Sequence, residues 1–164
     1  MPGTQRDVTL RFLAEPTDVN FGGKMFGGAV MKWIDLAGYA CATGWSGSYA
    51  VTAYVGGIQF ERPISIGQLV EVRARIVMTG RTSMHIAVEV FSRETREETW
   101  GRTTQCLMVF VAIDDAGKPS PVPSFQPENE QEKRLADYAG RMKELSLALE
   151  EERNRWLKGE IPAS

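Results

Sequence analysis

The sequence predicts an α+β fold in which a curved antiparallel sheet wraps around one central helix, with an extra helix near the C-terminal end. Three observations carry this expectation. From Phe26 or Gly27 to Gly44 the chain is apolar almost all round, with Lys32 and Asp35 its only charges, so a helix of about five turns there must be covered on most sides. Four segments of strand character follow at about 50–60, 68–78, 82–93 and 100–113. Their connections are too short to hide such a helix, which leaves the sheet itself as the cover. After them comes a stretch with four prolines in eleven residues, 117–127, and then a charged segment with helical periodicity.

Each element has its own local reason. Val8 to Ala14 alternates as a short strand and ends at Glu15-Pro16-Thr17-Asp18, where proline and short polar side chains favour a turn. A glycine-rich loop leads into the apolar helix. In the second long strand Val70, Val72, Ala74, Ile76 and Met78 alternate with Glu71, Arg73, Arg75, Val77 and Thr79, which marks one covered and one wetter face. Met78-Thr79-Gly80-Arg81 suits a tight hairpin into the third. A sheet curved around a helix in this way is a hot-dog architecture. Residues 1–123 form that domain, and 124–164 hold an extended linker and a helix over about 128–158. On that helix Leu135, Tyr138, Met142, Leu145 and Leu149 recur at steps of three and four, a narrow apolar seam that suits burial against its own domain or against another subunit.

Composition removes several functions. The 164 residues suffice for one core, and 19 Lys and Arg against 21 Asp and Glu give a net charge of -2, which argues against general affinity for nucleic acid. The segment after Pro127 carries nine acids and seven bases, so the remainder is neutral. No apolar run reaches the length of a membrane span and no signal-peptide pattern is present, so the expected location is the cytoplasm. Cys41 and Cys106 lie in apolar segments and read as reduced core residues. One histidine and two separated cysteines cannot supply a zinc cluster or a Cys-x-x-Cys pair. His85 falls on the more polar side of its strand, where a solvated side chain is the simplest reading.

Two places could carry chemistry. Asn20-Phe21-Gly22-Gly23-Lys24-Met25-Phe26-Gly27-Gly28 is glycine-rich and holds a lysine, but the spacing Gly-x-x-x-x-Gly-Lys-Ser/Thr of a phosphate loop is missing. What remains is a helix start at Gly27 and Gly28 whose unpaired N–H groups and positive dipole end suit an oxyanion. Asp35, about two turns into an apolar helix, needs a partner. Lys32, three residues earlier, offers a salt bridge, and a catalytic carboxylate is the other reading. With Asn20 and Gly28, Asp35 would supply a base or nucleophile, an oxyanion site and a group to position water.

Residues 15–28, with Asp35 seven positions on, resemble the active-site loop and helix of the YciA-like and brain-type acyl-CoA hydrolases, which are hot-dog thioesterases. The resemblance continues through Tyr49-Ala50-Val51-Thr52, Phe60-Glu61-Arg62-Pro63-Ile64-Ser65-Ile66-Gly67, Thr79-Gly80-Arg81-Thr82-Ser83-Met84 and Val111-Ala112-Ile113-Asp114-Asp115-Ala116-Gly117-Lys118, covering about residues 8–123. It implies that Asp35 is the catalytic carboxylate, that Asn20 is its loop partner and that Gly28 donates its N–H to the thioester oxygen. Thr52 matches a residue that reaches the site from the facing subunit. Gly80, Arg81, Thr82 and Ser83 match the hairpin along the coenzyme A tail, with Gly27 and Lys118 also at the substrate. Lys24 stands where the family often has an acidic or polar residue.

The implied reaction is hydrolysis of a fatty acyl-CoA to the acid and coenzyme A, with no cofactor, since coenzyme A belongs to substrate and product. A non-catalytic acyl-CoA sensor on the same fold is the alternative, and it would need the pocket without Asp35. The apolar helix and two-sided strands leave more hydrophobic surface than one small domain hides, so a homodimer is the minimal unit expected. The resemblance extends this to a trimer of dimers. If Val51, Ala53 and Val55 pack on the helix, alternation turns Thr52 away from Asp35 of its own chain.

Overall fold

The computed structural model describes residues 1–160 and places them in two compact units, Met1–Gln126 and a second from Pro127 onward. The first unit is a five-stranded antiparallel sheet around one helix. In chain order it contains β1 (Asp7–Leu13), a single 3-10 turn at Pro16–Asp18, α1 (Gly27–Ser46), β2 (Ala50–Phe60), β3 (Leu69–Thr79), β4 (Ser83–Arg93) and β5 (Gly101–Ala112). The sheet order is β1-β3-β4-β5-β2. Strands that follow one another pair as β3–β4 and β4–β5, whereas β1 and β2 close the two edges.

The core lies between α1 and the concave face. Ile34, Ala37, Cys41 and Trp45 of the helix are buried together with Val72, Ile86, Val88 and Phe110 of the sheet. Gly38 permits the closest contact, because a Cβ there would lie 2.8 Å from the Phe110 ring. Gly44, expected to end the helix, instead sits inside it and lets Gln5 approach, a Cβ there falling 2.5 Å from the Gln5 amide. The true stop is Gly47, whose φ of 68° is the left-handed conformation that glycine adopts without a Cβ penalty. The sequence treats the two glycines alike, and only packing distinguishes them.

Residues beyond β5 remain attached to this unit. Trp45 Nε1 donates to Pro123 O at 3.0 Å, Phe125 N donates to Thr79 Oγ1 at 2.9 Å, and the Trp45 and Phe125 rings pack edge to face. The proline-rich segment is therefore extended as expected, yet pinned along its length. His85 departs from expectation, being only 8% exposed. Its strand is flanked on both sides, and its cross-strand neighbours Met78 and Val109 are apolar, so the period-two pattern identified its face correctly but not how well that face is covered.

Burial pushes the Cys41 thiol up to about 12, with the negative charge of Asp7 adding to it, and the Cys106 thiol up to about 11. Both are free and buried. Glu71 is only 2% exposed and is held by Arg11 and Arg73. Burial alone would raise its pKa, but hydrogen bonds from the two guanidinium groups outweigh that and hold it below the ordinary carboxylate value. The stabilisation is thus fully present above the unfolded carboxylate pKa of about 4.3 and is lost as pH falls through the lower folded value. Glu71→Gln is expected to cost about 1–2 kcal/mol near neutrality, less than for a sealed ion pair because the arginines are partly hydrated. Melting curves taken from neutrality down to about pH 3 should show wild type and variant converging, and a gap that stays constant would refute the charge role.

In the second unit, α2 (Glu130–Leu157) is capped by Asn129, whose side chain accepts from Glu132 N, and Glu128 N donates to Glu132 Oε2 at 2.7 Å. Among the described residues, no helix is long and apolar enough to cross a membrane, and no group of three or more His, Cys, Asp or Glu could hold a metal ion.

Candidate active site

Asp35 lies on the open side of α1. Its Oδ1 accepts a hydrogen bond of 2.6 Å from Thr52 Oγ1 of the same chain. The expectation that alternation turns Thr52 away is therefore corrected. Cross-strand partners share a face, and Ala50 pairs with buried Ala112 while Thr52 pairs with buried Phe110, so Ala50 and Thr52 point at α1 and Val51 points outward. The register shifts between Thr52 and Tyr54, leaving Ala53 as an extra residue. This bulge resets the alternation, and the residue that shares a face with Met108 is then Val55.

Around Asp35 the helix is less covered than its composition suggested. Met31 and Tyr39, one turn to either side, are 48% and 38% exposed, and Leu36 is 50% exposed. The exposed ring of Tyr39 packs edge to face on Tyr49, just before β2. Met31, Leu36 and Tyr39 were not singled out by sequence reasoning. For Met31 and Tyr39 the signal was available, because they fall within about 40° of Asp35 on a helical projection, whereas Leu36 lies about 100° away.

The loop before α1 is shaped by Asn20. Its Oδ1 accepts from Gly22 N at 2.9 Å and Lys24 N at 3.1 Å, an Asx-type turn that engages the amide oxygen and leaves Nδ2 as the donor it can offer a ligand. Phe26 N donates to Asp18 O, fixing where the loop enters the helix. Phe26 is then the N-cap residue, and it supplies no side-chain hydrogen bond. Ala29 N and Val30 N both bond Phe26 O, whereas Gly27 and Gly28, as the first two helical residues, have no intrahelical acceptor. Gly28 is exposed. A serine or aspartate in place of Phe26 would compete for that N–H, so the apolar cap is part of the site, and it is a feature the sequence reading passed over.

The remaining candidates lie together at the far end of β4 and β5. Gly80 N donates to Ser83 O, closing the β3–β4 hairpin, while Ala112 N donates to Thr82 O and Val122 N to Arg81 O. Lys118 belongs to the next turn, where its N–H and that of Ala116 donate to Asp114 Oδ1. Arg81 and Lys118 are exposed. Thr52 and Met84 both pair with Phe110 from opposite sides, which sets the hairpin end two strand spacings, about 10 Å, from the Asp35–Thr52 pair.

Known proteins resemble this chain in sequence and fold. Residues 22–99 match the family model described as thioesterase superfamily. The acyl-CoA thioester hydrolase YciA of Salmonella typhimurium is 38% identical over 122 residues, covering 73% of this chain and 92% of the relative. The chain belongs to the thioesterase superfamily. Among solved thioesterases, an apo-hexameric acyl-CoA thioesterase superposes with a TM-score of 0.82 at 34% identity, covering 88% of this chain and 92% of its own. An acyl-CoA hydrolase from Staphylococcus aureus, in complex with butyryl coenzyme A, coenzyme A and coenzyme A disulfide, superposes at 0.87 with 27% identity over 96% of each chain. Structures of that hydrolase also exist with an aspartate, an asparagine and a threonine each replaced by alanine. The hot-dog architecture expected for this thioesterase is the one it has.

Proposed function

We propose that the protein hydrolyses acyl-CoA thioesters to the free acid and coenzyme A, using Asp35 as the base, and that each site is completed by a second copy of the chain. The observation that carries this reading is the Asp35–Thr52 hydrogen bond on a helix whose first turn has no side-chain cap and exposes Gly28. Further support comes from spacing. The asparagine, aspartate and threonine replaced in the S. aureus hydrolase are separated by 15 and 17 positions, as are Asn20, Asp35 and Thr52.

Thr52 occupies Oδ1 and so holds the carboxylate with Oδ2 turned to water. That water loses a proton to Asp35 as its oxygen bonds to the thioester carbon. Negative charge builds on the carbonyl oxygen, where the Gly28 N–H and the positive end of the helix dipole stabilise it. The C–S bond then breaks, and the proton held by Asp35 goes to the departing thiolate. Asn20 Nδ2 donates to the water or to the thioester. Arg81 and Lys118 meet the phosphates of coenzyme A, flanked by Gly80, Thr82 and Ser83, and Gly27 leaves the approach to Gly28 clear. Arg81→Ala and Lys118→Ala should each raise KM several-fold with kcat nearly constant, because binding to a remote phosphate is common to ground and transition states. A fall in kcat with KM constant would place them at the chemistry instead. The reduced state of Cys41 and Cys106 fits the cytoplasm.

Sharing between copies follows from distance and exposure. Gly28 and Asp35 are separated by seven residues, about 10 Å along one helix axis, a gap that favours pairing Asp35 and Thr52 of one copy with Asn20 and Gly28 of another. β2 is an unpaired sheet edge that exposes Val51, Tyr54 and Val55, a surface suited to association. The hexameric thioesterases it resembles support a hexamer, which a trimer of such dimers would build. The test is subunit mixing with release of free thiol as the readout. Asp35→Ala mixed with Gly28→Pro should regain activity, since one site of a mixed dimer is then intact, while Asp35→Ala mixed with Thr52→Trp should stay inactive. Recovery in the second mixture alone would move Thr52 to the other copy, and recovery in neither would mean that single chains build the site.

A further inference from the structure

The hydrolysis reaction makes no use of α2, and α2 carries an apolar face that nothing in its own unit covers. Tyr138, Leu145, Leu149 and Trp156 are 42%, 58%, 69% and 66% exposed. With 3.6 residues per turn they fall within about 20° of a single line along the helix, about 27 Å from first to last.

The stripe is its own complement. Tyr138 and Trp156 are equidistant from position 147, and so are Leu145 and Leu149. We propose that α2 pairs antiparallel with α2 of a second copy, Tyr138 lying against the second copy's Trp156 and Leu145 against its Leu149. The charges agree with this register. Arg141 and Glu152 lie on the same flank of the stripe, and the antiparallel arrangement brings each to within one residue, about 1.5 Å along the axis, of the other's level across the seam. Glu152 Oε2 already accepts from Arg155 of its own helix at 3.3 Å, so the carboxylate takes a guanidinium from each side. The other flank presents Met142 and Ser146 to the second copy's Arg153, with no like charge opposed. A parallel pair would instead leave Arg141 and Glu152 about 16 Å apart along the seam and align the two helix dipoles unfavourably. The interface is isologous, as a two-fold axis requires.

Cross-linking of the full-length protein with a short bis-maleimide tests this directly. The native thiols are buried and raised to about 12 and 11, so introduced cysteines dominate the labelling. Leu145→Cys should give a covalent dimer, whereas Leu147→Cys, equally exposed but half a turn around the helix, should not. Arg141→Cys/Glu152→Cys should link two chains while neither single variant does, because only the antiparallel register juxtaposes the two positions. Equal linking of Leu145→Cys and Leu147→Cys, or none by either, overturns the pairing, and linking by Arg141→Cys alone overturns its direction. Far-UV circular dichroism of each variant confirms that helicity is retained, and Leu145→Cys leaves the Arg141–Glu152 charges in place should the double variant lose it.

Discussion

Asp35→Asn is expected to slow acyl-CoA hydrolysis by about two to four orders of magnitude while leaving substrate binding close to that of the wild type. The replacement is nearly isosteric, and the introduced amide oxygen can still accept from Thr52, so the local structure has no reason to change. What disappears is the capacity to take a proton from water and return it to the sulfur. The effect should fall on kcat rather than on KM, since the proton is transferred only on the way to the transition state. Turnover of butyryl-CoA or longer acyl-CoA, followed by thiol release, checks this. Activity within threefold of wild type would reduce Asp35 to a structural partner of Thr52 or Lys32 and would favour an acyl-CoA sensor over an enzyme.

Gly28→Pro should cost about two to three orders of magnitude in kcat, the usual effect of removing one oxyanion donor. Proline at the second helical position deletes the N–H that is proposed to meet the oxyanion, and the first turn of a helix tolerates it because no intrahelical bond is lost there. Gly28→Ala is the matched control, since it keeps the N–H. Its Cβ would come within 2.8 Å of the Phe26 ring, but that ring is 59% exposed and free to swing aside. Equal losses in the two variants would point to crowding at the helix start, and a loss confined to Gly28→Pro to the N–H itself. Thermal unfolding of both variants separates either outcome from a failure to fold.

Much of this molecule was legible before its structure. The apolar run after Gly27, the alternating segments and the short connections between them were enough for a sheet around a helix, because each element announces its period locally and a helix apolar on most sides has few ways to be covered. The candidate residues were legible too, as Asn20, the glycine pair and Asp35 are out of keeping with an ordinary buried helix and its loop. The misreadings share one origin. Gly44 and Gly47 look equivalent until Gln5 packs on one of them, and His85 looks solvated until Met78 and Val109 flank it. Both outcomes depend on residues remote in sequence.

Thr52 marks the division most sharply. Alternation by itself determined that Thr52 and Val51 lie on opposite faces of β2, and composition determined that one of those faces meets α1. Which one was decided by the pairing of β2 with β5, a contact across some sixty residues that sets Thr52 opposite Phe110, and by the bulge at Ala53 that returns Val55 to the face it shares with Met108. Period-two geometry has two solutions of equal local merit, and a one-residue slip exchanges them. Only long-range packing, which buries Phe110 and Ala112 against α1, selects the solution that places a hydroxyl on the Asp35 carboxylate.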